Sequence, residues 1–113
     1  MSFSHITTHV LDAASGQPAE GVAVVLESLM GAVAVRIASG TTDADGRIGD
    51  LGPPRLTPGP YRVVFDTAGY FESQGVPTFY PQVAVTVLIT ADSTHDHVPL
   101  LLSPFSYTTY RGS

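Results

Sequence analysis

A chain of 113 residues, read as a single domain over 1–113, is long enough for a modest core of its own and too short for a two-domain enzyme. Only 13% of the residues are charged and 43% are apolar, against the roughly 25% charge of an average soluble domain, which predicts an oligomer that buries a large interface. A net charge of −5 with arginines scattered at 36, 47, 55, 62 and 111 argues against a nucleic-acid partner, and the absence of lysine and cysteine removes Schiff-base chemistry, a phosphate-loop lysine, disulfides and thiolate metal sites.

The opening Met1-Ser2-Phe3-Ser4-His5 has neither a basic segment nor an apolar stretch of signal-peptide length, and no run approaches the roughly 18 apolar residues of a membrane span. A cytoplasmic protein without a membrane partner is the expectation. Ile6 to Asp12 then alternates as a strand, with Ile6, Thr8 and Val10 on one face and Thr7, His9 and Leu11 on the other. Ser15-Gly16-Gln17-Pro18 reads as a turn. The apolar run from Gly21 to Glu27 and the segment Ala32 to Ala38, separated near Gly31, predict a hairpin. Thr42-Asp43-Ala44-Asp45-Gly46 is a loop by composition: its acids can bond their own backbone and Gly46 can take a positive φ.

A short strand follows from Arg47 to Leu51, then prolines 53, 54, 58 and 60 bracket a connection to the alternating strand Tyr61 to Asp66. Thr67 to Ser73 opens with a candidate capping threonine and fits one or two helical turns. Gln82 to Thr90 is a long strand with Val83, Val85, Val87 and Ile89 on one face, and His95 to Leu102 and Phe105 to Tyr110 are the last two strands. The fold class is therefore all-β: a two-sheet antiparallel β-sandwich of seven to eight strands with one short helix.

Against this apolar background the histidines are informative. His9 points opposite to Ile6 and Val10, and His97 opposite to Val98, Leu100 and Leu102, so both imidazoles face away from the core. They are either ordinary surface residues or members of a second buried face, which the apolar Leu11 and Leu101 beside them favour. His95-x-His97 also places two imidazoles on one side of a strand, and a third would complete a three-histidine zinc site. No G-x-S-x-G elbow supplies a serine nucleophile. A hydrolase without metal can instead use imidazole to activate water and an arginine to bind a carbonyl-rich substrate, and Arg47 is placed for that role.

The segments Thr7-Thr8-His9-Val10-Leu11-Asp12 with Gly16-x-Pro18-Ala19, Thr42-x-x-x-Gly46-Arg47, His95-x-His97-Val98-Pro99-Leu100-Leu101-Leu102-Ser103-Pro104 and Tyr110-Arg111-Gly112-Ser113 together resemble the transthyretin-related 5-hydroxyisourate hydrolase family. The similarity runs from about residue 5 to residue 113, and the closing tetrapeptide marks the enzymes of that family, being missing from the hormone carrier transthyretin. The resemblance implies a homotetramer, a dimer of dimers, with active sites in a channel between dimers. It also implies hydrolytic ring opening of a purine-derived substrate in urate degradation without a cofactor. Its site residues carry over to His9, Arg47, His97 and Ser113 as catalytic groups, and to His9, Arg47 and Tyr110 as substrate-binding groups. Asp96 stands where the family often has an aromatic residue and Phe105 where tyrosine is common. The other class of function is a non-catalytic prealbumin-like binding or carrier module, for which the glycine, proline and Asp43-x-Asp45-Gly46 features are equally suited.

Overall fold

The computed structural model describes residues 3–113; Met1 and Ser2, the start of the segment read for a leader, lie outside the described residues. Nine strands and one helix follow in order: β1 Ile6–Asp12, β2 Gln17–Pro18, β3 Ala23–Ser28, β4 Val35–Thr41, β5 Arg47–Ile48, β6 Gly59–Phe65, α1 Thr67–Glu72, β7 Val83–Ile89, β8 Asp96–Ser103 and β9 Ser106–Thr109. They form two sheets, β2-β1-β8-β9 with β5 also on β1, and β4-β3-β6-β7. The alternation dictates the stacking. Ile6 and Val10 of β1 with Val98, Leu100 and Leu102 of β8 bury against Val24, Leu26, Val63, Phe65, Val83 and Ile89 of the other sheet. Each fully buried aliphatic side chain contributes roughly 1.5–3 kcal/mol.

The β3–β4 pair is the expected hairpin, though its second strand begins later, at Val35. Three expectations about strands need correction. β1 and β8 run parallel in an otherwise antiparallel architecture, because β3, β4, β6 and β7 between them build the other sheet and the chain can return in either direction. The Gln17–Pro18 half of the predicted turn pairs with Leu11 and Asp12 as β2, on a sheet edge where proline's missing N–H costs no ladder bond. β5 is only Arg47–Ile48, shorter than the predicted Arg47 to Leu51, since Leu51 N–H turns to Ser4 Oγ (2.7 Å). In α1 the cap is Asp66, which accepts from Gly69 N–H (3.0 Å); Thr67, the predicted cap, is buried with its hydroxyl on the Tyr80 carbonyl. The short helix is tied to the first sheet by Tyr70, whose hydroxyl donates to Asp12 Oδ2 (2.7 Å).

The loop before β5 is built as its composition suggests. Asp43 Oδ1 accepts from the N–H groups of Asp45 and Arg47, both at 2.9 Å. Gly46 has φ +75°, and a Cβ there would collide with the Val10 carbonyl, so the loop closes onto β1 only through glycine. Val10 N–H donates to the Gly46 carbonyl (2.7 Å), which sets the register that places Arg47 opposite His9. Among the described residues no helix is long and apolar enough to cross a membrane.

Candidate active site

The face of the first sheet that turns away from the core carries Thr7 and His9 from β1, Arg47 from β5 and His97 from β8. The register joins them in pairs: His9 lies opposite Arg47, and Thr7 opposite His97 in the parallel β1–β8 ladder. Beyond β9 the chain folds back, and Gly112 N–H donates to the His97 carbonyl (2.9 Å). This brings Ser113 to a pocket of about 320 Å³ that Thr7, Asp43, Arg47, His95 and His97 also line. Glycine is required at 112, because a Cβ there would stand 2.6 Å from the His97 ring.

Arg47, His97 and Ser113, expected at one site, thus share a pocket. His9 is half-buried next to that pocket, on the strand position facing Arg47, and does not line it. Tyr110 is exposed on the wall of a neighbouring pocket of about 330 Å³, between β7 and β9, which touches the first through His97. Burial of the His97 imidazole lowers its pKa from the ordinary 6.5, and the positive charge of Arg47 and the neighbouring His9 and His95 push the same way. A neutral ring at neutral pH is the form that can accept a proton.

The contacts of two contributors are not visible in the sequence. The Thr7 hydroxyl lies between His95 Nε2 (2.9 Å) and His97 Nδ1 (2.8 Å), so the two imidazoles of the H-x-H pair meet at a hydroxyl. Among the described residues no three His, Cys, Asp or Glu side chains converge as a metal-holding group. Thr7 shares the alternating face of His9, but only the β1–β8 register reveals its contacts. The second contributor is Asp96, on the opposite face of β8 from its histidine neighbours. It accepts from His5 Nε2 (3.1 Å), Ser93 Oγ (2.6 Å) and Arg111 Nη2 (3.4 Å), and so touches the segment that delivers Ser113. His5 is fully buried, and its Nδ1 accepts from Leu56 N–H (3.0 Å), which leaves the ring proton on Nε2 for Asp96.

Burial of Asp96 works against its charge, but the hydrogen bonds from Ser93 and His5 and the charge of Arg111 outweigh it and hold its pKa below the usual 3.8. A depressed carboxyl contributes stability that is complete above the unfolded value and is lost as pH falls through the folded one. Thermal melts of the wild type and Asp96→Asn should therefore differ most near neutral pH and converge as pH drops below the ordinary carboxylate range. A gap that is independent of pH would mean the carboxylate charge is not what holds this corner.

A sandwich of two four-to-five-stranded sheets with imidazole and guanidinium groups gathered on the outer face of one of them defines a transthyretin-like fold with a polar face on one sheet. The chain belongs to the HIUase/Transthyretin family, whose model matches residues 6–112. A mouse protein named 5-hydroxyisourate hydrolase is 47% identical over 113 residues, covering 97% of this chain and 96% of its own. The structure of Klebsiella pneumoniae 5-hydroxyisourate hydrolase superposes with a TM-score of 0.85 at 35% identity, covering 97% of this chain and all of that one. Sea bream transthyretin, solved in complex with thyroxine, superposes with a TM-score of 0.90 at 36% identity over 96% of this chain and 94% of its own. The fold therefore accommodates both a protein named as a hydrolase and one that binds thyroxine, and the choice between them lies in the side chains.

Proposed function

We infer that this chain is a hydrolase acting on 5-hydroxyisourate, opening the six-membered ring to 2-oxo-4-hydroxy-4-carboxy-5-ureidoimidazoline in urate degradation. The observation that carries the reading is the 47% identity to a hydrolase of that name over nearly the whole chain. The shared pocket of Arg47, His97 and Ser113 supports it. In this reading water attacks a ring carbonyl carbon beside nitrogen. His97 takes a proton from the water as the C–O bond forms and returns it to the ring nitrogen as the C–N bond breaks. Arg47 supplies planar donors to the oxygen on which charge gathers. His9 orients the substrate from beside Arg47, and Tyr110 and Ser113 close the site with hydrogen bonds.

The assembly proposed with this activity is a homotetramer, a dimer of dimers, of the single domain 1–113 in the cytoplasm, whose channel covers the polar face. Exposed Leu88 on β7 and Tyr107 on β9, both on edge strands, support an interface there. The test of function is to generate 5-hydroxyisourate in place with a urate oxidase and follow its ultraviolet absorbance. Decay no faster with this protein than without it would defeat the enzyme reading, and binding without turnover would favour the carrier class.

Because imidazole activates the water, the activity needs no metal or other cofactor. Dialysis against a strong chelator is expected to leave the rate unchanged. A loss restored by zinc would instead assign the histidines to a metal.

A further inference from the structure

His97 is asked to hold a proton where a charged ring is unwelcome, with Arg47 close by and partial burial around it. The Thr7 hydroxyl resolves this by its donor count. With one proton and two lone pairs it touches two ring nitrogens, His97 Nδ1 at 2.8 Å and His95 Nε2 at 2.9 Å, a geometry in which it can accept from one ring while donating to the other. The two imidazoles are thereby coupled. When His97 carries its proton on Nδ1 and donates to Thr7, Thr7 donates to a bare His95 Nε2, and His97 Nε2 is free to act as a base. When the direction reverses, His97 Nδ1 accepts and its proton sits on Nε2, the donor form.

We propose that Thr7 and His95 form a proton relay with His97, in which His95 stores the proton taken from water and the Thr7 hydroxyl carries it between the rings. The proposal rests on the hydrolase reading above and adds two residues to it. As His97 Nε2 takes a proton from water, its Nδ1 proton passes to Thr7 Oγ1 and the Thr7 proton passes to His95 Nε2. His97 then stands neutral with its proton on Nε2, and the positive charge rests on His95. When the C–N bond breaks, His97 Nε2 gives its proton to the leaving nitrogen while the chain runs backwards from His95 through Thr7 to His97 Nδ1. No proton is gained or lost over the cycle. Burial supports this division of labour: Thr7 is 7% exposed, whereas His95 is open to solvent. The other charged or titratable groups lining the pocket or opposite it on β1 are His9, Arg47 and Asp43, and none of them is bonded to the Thr7 hydroxyl.

Both residues act through His97 and are positioning residues, so the test separates turnover from binding. Thr7→Val and His95→Phe should each lower kcat about 10-fold, the scale of losing a working hydrogen bond in a site, with KM unchanged. Thr7→Ser should restore kcat. His95 is exposed, so His95→Phe reads the relay even if Thr7→Val fails to fold. Independently of activity, ¹⁵N NMR of histidine-labelled protein without substrate reads the tautomers. Wild-type His97 should sit in the Nδ1–H form and lose that preference in His95→Phe and Thr7→Val. Wild-type kcat in both variants, or a His97 tautomer indifferent to both, would overturn the relay. Should the wild type not hydrolyse 5-hydroxyisourate at all, the function falls on that assay, while the coupling of the rings is still decided by the spectra.

Discussion

His97→Asn and Arg47→Ala are each expected to reduce turnover of 5-hydroxyisourate by about 100-fold or more, the usual scale for removing an acid–base group or a charge-stabilising donor. Folding should survive both. His97 is half-buried on the outward face of β8 and Arg47 is exposed at the start of β5, so neither fills the space between the sheets. A core truncation such as Leu100→Ala, at a fully buried position, should cost about 2–5 kcal/mol and lower the thermal midpoint far more. The two variants should differ in their pH dependence. The pKa of His97 is lowered by burial, by Arg47 and by the neighbouring imidazoles, so kcat/KM of the wild type should rise with pH only below about 6.5 and be flat at neutrality. In Arg47→Ala one of those opposing charges is gone, His97 keeps its proton to higher pH, and the acid limb should move towards neutrality. A limb that stays in place would show that the titrating base is another group.

How far the sequence reaches depends on which interaction sets each feature. β1 and β7 are legible because alternation of β-branched residues is written into the chain itself, and the outward direction of His9 and His97 follows from the same parity. Direction of pairing is not written there: nothing in Ile6–Asp12 or Asp96–Ser103 says that the two strands run parallel. That register is what seats Thr7 against His97, so the bridge to His95 is invisible until the strands are paired. The two-residue strand β2 is illegible for a similar reason, since it exists only as an addition to the edge of β1, and the strand read over Arg47 to Leu51 keeps only Arg47–Ile48, the part that pairs with β1. Asp66 lost the capping role to Thr67 in the sequence reading because both are good caps, and only the burial of Thr67 against Tyr80 separates them. Asp96 breaks the apolar pattern of β8, and of its partners only Ser93 is near in sequence. Its explanation, buried His5, lies across the sheet at the start of β1.

Removing Tyr110 to Ser113 should abolish most activity and leave a folded protein. The core is complete without these residues: β9 ends at Thr109, and no residue beyond it belongs to the buried cluster. An ordinary sandwich would be nearly indifferent to the trim. Here the segment is docked by the Gly112 bond to the His97 carbonyl and by Arg111 on Asp96, and Gly112 lies against the His97 ring. The Arg111 contact is exposed and contributes little by itself. The value of the docking lies in what it places: Ser113 beside Arg47 and His97, and a backbone strand that shields one side of the imidazole. Loss of the segment should expose the His97 ring to water, weaken the burial that keeps it neutral, and remove the Ser113 and Tyr110 hydroxyls together. Since Tyr110 borders the pocket between β7 and β9, where the interface between copies is proposed, the trimmed chain should also shift towards smaller assemblies. Activity and sizing measured on the same preparation separate the two effects. Loss of activity in an intact assembly places the segment in the chemistry, loss of both makes it a part of the interface as well, and full activity would remove residues 110–113 from the site.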